Sequence, residues 1–211
     1  MKKTIYLLTD EKYEGAVNFP VIKIKFFSPS FSFENIDFLL FTSKNGVRGV
    51  DRLTNKWKEY PSFAIGEATA KEIEKRGGRV EFIAKSAYGD EFAKEINKYY
   101  KSKTFLFFRA KKIISPIKKI IEPQNKLKEV IIYETICNNP SFNLQKPSIV
   151  IFSSPSTVKC FARIETFENI DIIAIGKKTL KELKNYVNEE KIFLPKKPSI
   201  KECIKLAQTL D

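Results

Sequence analysis

Histidine is absent from all 211 residues. That excludes any mechanism that needs an imidazole as base, proton shuttle or metal ligand, including serine and cysteine nucleophiles paired with histidine. Cysteine is scarce as well. Cys137, Cys160 and Cys203 lie far apart and form no C-x-x-C pair. An odd number at such spacing argues against a disulfide framework and predicts three buried, unpaired thiols in a reducing compartment. Long apolar runs are missing too. The first one, Ile5 to Leu8, ends before Asp10 and is too short for a signal-peptide core. No stretch approaches the roughly 20 residues of a membrane span. A soluble, cytoplasmic protein is expected. Glycine is sparse: 8 residues, seven of them before position 90.

Charge, in contrast, is plentiful. There are 38 Lys+Arg against 25 Asp+Glu, a formal +13. Such an excess suits an anionic ligand or nucleic acid. The lysines are spread along the chain and interleaved with glutamates, as in KEIEKR (71–76) and KKTLKELK (177–184). No arginine cluster, helix-turn-helix turn, zinc-finger spacing or RNP-type aromatic pattern occurs. Much of the charge therefore reads as solvated surface. At about 150 residues per domain, the length allows one large domain or two small ones, and 43% hydrophobic content is enough for a core.

Comparing the chain with itself decides between these. FTSKNGV (41–47) resembles FSSPSTV (152–158), 111 residues later. AIGEATAKE (64–72) resembles AIGKKTLKE (174–182), with six of nine positions identical. FIAKSAYGDE (82–91) shadows FLPKKPSIKE (193–202), and TIYLLTDEK (4–12) shadows TFLFFRAKK (104–112). Matches in one order at nearly one offset predict an internal duplication. Gly176, the lone glycine of the later half, aligns with Gly66, so this position is expected to need glycine's backbone or room for a close approach.

Short Ile-, Val- and Phe-rich runs at 4–9, 21–27, 37–42, 62–65, 80–84, 104–108, 129–135, 148–152, 171–175 and 191–194 read as buried parallel strands. Helical patterns fall at 69–76, 90–100, 113–121, 156–164, 178–187 and 199–210. The segment Glu11–Pro20 is too short and too rich in breakers for a crossover helix. The alternation predicts an open α/β fold.

In such folds ligands bind outside the carboxyl ends of the strands, where helix amino ends present free N–H groups. Strand–loop–helix junctions fall at 42–47, 65–69, 153–158 and 175–179. They carry Thr42, Ser43, Asn45, Ser153, Ser154 and Ser156, all small hydrogen-bonding residues. Two such loop sets would suit one shared cleft. Three T/S-x-x-E sequences, Thr69–Glu72, Thr179–Glu182 and Ser199–Glu202, fit capping boxes. Thr69 and Thr179 then have a purely structural reading as caps. Ser154-Pro155-Ser156 has one as an ordinary helix start.

In order, FTSKNGV, AIGEATAKEIEKRG, SAYGDEFAKEI, VIIYET, FSSPSTV and AIGKKTLKEL resemble the motifs of the uroporphyrinogen-III synthase family, over roughly 38–211. The resemblance implies two similar open parallel-sheet α/β domains joined by a two-stranded linker. One domain would be 1–24 plus 137–211, the other 27–129. The linker strands would lie near 21–26 and 130–136. The family closes the linear tetrapyrrole hydroxymethylbilane into uroporphyrinogen III, inverting the last ring and losing water, with no metal and no organic cofactor. That polycarboxylate would be the partner of this chain, with no role for nucleic acid or membrane. A monomer is expected, touching transiently the enzyme that supplies hydroxymethylbilane.

By resemblance, Tyr133 matches the tyrosine that assists departure of the hydroxyl. A phenol keeps its proton at neutral pH. Its alternative is a linker tyrosine packed on a domain edge. Ser43, Thr69, Ser154 and Thr179 match positions lining the cleft, and Arg109 matches a basic position near it. Thr42, Asn45, Gly66, Ser153, Ser156, Gly176 and Lys178 join the candidate substrate-binding set. Lys111, Lys112 and Lys177 are further electrostatic candidates. The chain departs from the family at Lys177 and Lys178, where small residues are usual. It also departs at KNYVNEEK (184–191), which lacks the closing glycine. A two-domain anion-binding protein without catalysis is the competing reading, and a basic nucleic-acid-binding protein the third.

Overall fold

The computed structural model describes residues 3–86, 88–113 and 115–210. From the amino end the chain lays down strands β1 (Thr4–Leu7), β2 (Val17–Asn18), β3 (Ile22–Phe26) and β4 (Phe38–Phe41). Helix α1 (Lys44–Asp51) follows, then β5 (Pro61–Ala64), α2 (Glu67–Lys75), β6 (Arg79–Ile83) and α3 (Gly89–Tyr99). Next come β7 (Thr104–Ala110), α4 (Ile117–Ile121) and the long β8 (Lys126–Cys137). The chain ends with β9 (Ser148–Phe152), α5 (Pro155–Phe161), β10 (Ile170–Ala174), α6 (Lys177–Leu183), β11 (Ile192–Phe193) and α7 (Ile200–Ala207).

Two compact units result. The first is Met1–Lys23 with Thr135–Asp211, and the second is Ile24–Glu134. The first holds a sheet of order β11-β10-β9-β1-β2. The second is built on the sheet β3-β8-β7-β4-β5-β6. The fold is mixed α/β with two sheets whose pairings are parallel from β2 to β11 and from β8 to β6. β3 runs the other way along β8: Phe27 N–H donates to Ile132 C=O and Asn138 N–H to Val21 C=O, each at 2.9 Å.

Burial on both faces explains the continuous apolar runs. In the second unit Leu39, Phe41, Leu106 and Phe108 face one core, together with Trp57 and Ile73. Leu40, Phe63, Phe105 and Phe107 face the other, against Phe92, Ala93 and Ile96 of α3. Each fully buried Phe or Ile contributes about 1.5–3 kcal/mol. The first unit repeats the plan, with Val150 and Phe152 on one side and Ile149 and Ile151 on the other.

No crossover helix joins β1 to β2. Instead, Gly15 turns at φ +82°, and the Asn18 amide donates to the carbonyls of Thr9 (2.6 Å) and Glu11 (2.9 Å). Its counterpart between β7 and β8 does hold a helix, α4, starting at Ile117.

Two expectations need correction. Cys137 and Cys160 are not free thiols: they form a disulfide, with Cα atoms 5.2 Å apart. The topology brings the end of β8 against α5, which spacing along the chain does not reveal. Cys203 is a buried thiol, pushed by burial and by Glu202 up to about 12. Thr69 and Thr179 do not cap helices. Gly66 and Gly176 occupy the cap positions, and the threonines lie three residues further on, buried. Only Ser199, of the three T/S-x-x-E sites, caps its helix, accepting the Glu202 amide at 3.2 Å. Among the described residues no helix is long and apolar enough to cross a membrane.

Candidate functional site

In the second unit, strands β8, β7, β4 and β5 are neighbours, so their carboxyl ends and the segments that follow adjoin. β4 leads into α1 through Thr42 and Ser43. Ser43 is the helix cap: its backbone is extended and its Oγ accepts the Asn45 amide at 3.0 Å. Asn45 therefore lies in the first turn of α1 rather than in a loop.

Two glycines hold this helix down. A Cβ on Gly46 would stand 2.6 Å from the Phe108 carbonyl of β7. One on Gly49 would stand 3.0 Å from Ile132 of β8. The bare glycine face lets α1 lie directly on both strands.

Tyr133 reaches the same place through an irregularity in β8. Arg109 pairs with Ile131 and Ala110 with Tyr133, so the register shifts by one residue there. As a result Ile132 and Tyr133 both pack into the core under α1, instead of alternating. Tyr133 is 7% exposed. Its ring meets Phe26. Burial pushes the phenol above its ordinary value, and the polar Ser43 side chain offsets part of that rise. The group is an acid that holds its proton firmly. Beside it, Glu134 receives Lys111 at 3.3 Å and Lys25 at 3.9 Å.

The turn from β5 to α2 carries Gly66. Ile65 N–H donates to the Phe41 carbonyl at 3.0 Å, fixing this turn next to Ser43's strand. Gly66 does not have a left-handed backbone; its φ is 171°. A Cβ there would meet nothing within 4 Å. The fold thus does not require glycine at this position, contrary to the first half of the expectation drawn from its pairing with Gly176. What remains is open space in front of a helix start.

Arg109 is not brought to Tyr133. It alternates with Phe105 and Phe107, so it leaves β7 on the α3–α4 side. Its Nε sits 2.7 Å from the Glu129 carboxylate, off the hydrogen-bond line, and Nη1 donates to the carbonyls of Ala110 and Lys111. It braces the end of its own strand.

The first unit repeats these junctions. Ser154 caps α5 in a capping box with Thr157, and Pro155 opens the helix. Ser153 is half-buried and Ser156 exposed. Ile175 N–H donates to Phe152 at 3.0 Å, as Ile65 does to Phe41. Gly176 again has an extended backbone, φ −177°, with only Pro198 at 3.7 Å from a Cβ. Lys177 and Lys178 follow, both exposed. Lys112 is exposed after β7. A groove of about 1120 Å³ lies at the amino ends of β9 and β10, lined by Lys3, Ser148, Asp171 and Tyr186. That is the end of the sheet away from these junctions. Among the described residues no cluster could hold a metal ion.

Sequence reasoning missed the pair formed by Arg48 and Glu72. Arg48 of α1 and Arg76, at the carboxyl cap of α2, donate to the Glu72 carboxylate at 2.9 and 2.7 Å. Burial works against this charge, but the two guanidinium groups outweigh it and hold Glu72 at about 2.

The fold is shared with solved enzymes. A uroporphyrinogen-III synthetase from Helicobacter pylori superposes with TM-score 0.82 at 24% identity, over 99% of this chain and 100% of that one. A mutant uroporphyrinogen III synthase from the extremely thermophilic bacterium Thermus thermophilus gives 0.60 at 12% identity, over 99% and 97%. No curated protein sequence matches. The family model described as uroporphyrinogen-III synthase HemD matches residues 10–205, so nearly the whole chain carries the family's pattern. The chain belongs to the uroporphyrinogen-III synthase family, cyclising lyases of tetrapyrrole biosynthesis.

Proposed function

We propose that the chain converts hydroxymethylbilane to uroporphyrinogen III, with Tyr133 as the proton donor to the departing hydroxyl. The observation that carries this is the Tyr133 phenol, buried in the core under α1 and kept protonated by that burial. In the first step the C–O bond of the hydroxymethyl group breaks and its electron pair leaves with oxygen. The Tyr133 proton goes to that oxygen, and water departs. The pyrrole nitrogen feeds electrons into the developing azafulvenium cation, and the substrate's own carboxylates offset its charge. Ring closure later releases a proton, which restores the phenol, so one water is lost in balance.

The rest of the task is to hold a flexible polyanion in one arrangement. Thr42, Ser43, Asn45 and the open turn at Gly66 serve this in the second unit. Ser153, Ser154, Ser156, Gly176 and Lys178 serve it in the first. Thr69 and Thr179 support these turns from beneath, and Arg109 acts only by stiffening β7. The protein works as a monomer that receives its substrate from the enzyme producing it.

Product analysis tests the reading. Hydroxymethylbilane closes spontaneously, without inversion, to the type I isomer. The purified protein is expected to give type III without added metal or cofactor. Type I alone at high enzyme concentration would leave an anion-binding protein without catalysis. Tyr133→Phe is expected to lower kcat by about 10²-fold with the fold intact, the range of a lost general acid.

A further inference from the structure

The connection from α6 to β11 differs from its counterpart in the second unit. There α2 ends at Lys75, β6 begins at Arg79, and the turn closes on Gly77 at φ +80°. In the first unit α6 ends at Leu183 and β11 begins only at Ile192. Three residues suffice in one unit, while the other uses eight, KNYVNEEK (184–191).

The longer connection builds a wall. Tyr186, Asn188 and Glu190 line the groove of about 1120 Å³ at the amino ends of β9 and β10. That is larger than the roughly 300–1,000 Å³ of ordinary ligand clefts. The connection from α5 to β10 supplies Phe167 and Glu168. The Phe167 and Tyr186 rings stack, with centroids 5.4 Å apart and 28° between their planes. Tyr186 and Phe193 are both exposed, so the groove offers aromatic surface to a ligand.

Ser148 forms the floor. It alternates with Val150 and Phe152, so its side chain leaves β9 on the face that carries Phe167 and Ile170. It is 1% exposed, and its Oγ has no hydrogen-bond partner among the described residues. A hydroxyl buried without a partner is costly, and a ligand that reaches it removes the penalty.

Charge narrows the choice of ligand. Lys3 and Asp171 pair with each other at 2.7 Å. Of the other charged residues in the lining, Glu168 and Glu190 outnumber Lys191. The groove is therefore locally acidic in a chain of formal charge +13. A polycarboxylate is a poor match for it, which sets it apart from the Ser154 and Gly176 turns at the other end of the strands.

We propose that this groove is a second binding site, for an arylalkyl ammonium ion. The flat ring packs against Phe167, Tyr186 and Phe193. The ammonium group pairs with Glu168 and Glu190, next to the Tyr186 ring face. An N–H of the ligand donates to Ser148 Oγ.

The test uses the full chain, labelled with nitrogen-15, and follows its backbone amides by NMR. Tryptamine is the probe. Indole-3-propionate carries the same ring with the opposite charge. Tryptamine is expected to shift amides in 166–170 and 186–193 and to leave those of the Ser154 and Gly176 turns unmoved. It should bind at least about tenfold more tightly than indole-3-propionate. Glu168→Lys with Glu190→Lys, both exposed positions, should reverse that preference. Ser148→Ala removes an unpaired hydroxyl, so the fold tolerates it. It should weaken tryptamine about threefold to tenfold, the worth of one hydrogen bond. An absence of shifts at millimolar tryptamine would overturn the inference, as would equal affinity for the two probes. So would tryptamine binding that survives both lysines, or an affinity unchanged in Ser148→Ala.

Discussion

Gly46 and Gly66 belong to neighbouring strand-to-helix junctions and do opposite things. Gly46 is a packing residue. A methyl there would collide with the Phe108 carbonyl at 2.6 Å, so α1 would have to lift off β7. Gly66 has an extended backbone and nothing near its missing Cβ. Gly46→Ala is therefore expected to destabilise the second unit by about 1–3 kcal/mol, as overpacking does, read by denaturant unfolding. Gly66→Ser, which supplies a good cap, should leave stability unchanged but raise KM about tenfold, the worth of one charged hydrogen bond. An unchanged KM would assign Gly66 no part in binding. Residue-level reading of the sequence succeeded where a position has one consistent use, as at Ser154. For Arg109 the resemblance names a basic position near the cleft, while the alternation in TFLFFRA places it with Phe105 and Phe107 rather than with Phe108. Tyr133 is singled out only through resemblance, because the irregularity that turns it into the core leaves no mark in VIIYET.

Elements were legible in the apolar runs, since strands buried on both faces write themselves as unbroken Ile, Val and Phe. Helix starts were not. T-x-x-E looks like a capping box, but both helices begin three residues earlier, at glycine. The glutamate then faces the preceding helix. Glu72 receives Arg48, and Glu182 receives Lys159 at 3.3 Å. Because Glu72 is held at about 2 against an ordinary 4.5, its charge stabilises the fold at pH above 4.5. That contribution is lost as pH falls through about 2. Its size is roughly 2–3 kcal/mol. Urea unfolding across that window should show the loss, and Glu72→Gln should flatten it. The disulfide was invisible for a different reason. It joins β8 to α5 across 23 residues, a contact set by topology. Reductant, or Cys160→Ser, is expected to cost about 2–4 kcal/mol. Amide exchange should place the loss in the first unit, around α5.

At the scale of the whole molecule, the segment matches in the sequence fall on equivalent sheet places. β4, β5, β6 and β7 pair off with β9, β10, β11 and β1, and each set runs in the same spatial order. Arg48–Glu72 and Lys159–Glu182 then stand 110 or 111 residues apart, as do the Ile65–Phe41 and Ile175–Phe152 backbone bonds. We infer from this that a duplicated unit gave both, with the chain entering the copies at different strands. Net charge is the other property of the whole. The formal +13 is scattered, and it is what remains once the acidic groups, some in ion pairs such as Lys111–Glu134 and Lys159–Glu182, have offset an equal number of cations. What is left acts at a distance on a polycarboxylate and is screened within about 8–10 Å at physiological salt. Encounter should therefore depend on salt far more than chemistry does. We expect kcat/KM to fall about tenfold between roughly 0.05 and 0.5 M sodium chloride, while kcat changes little. Lys177→Ala with Lys178→Ala, beside the open turn at Gly176, should reduce that slope without altering kcat. A kcat/KM that is flat in salt would make the charge ordinary surface lysine and leave recognition to the junctions alone.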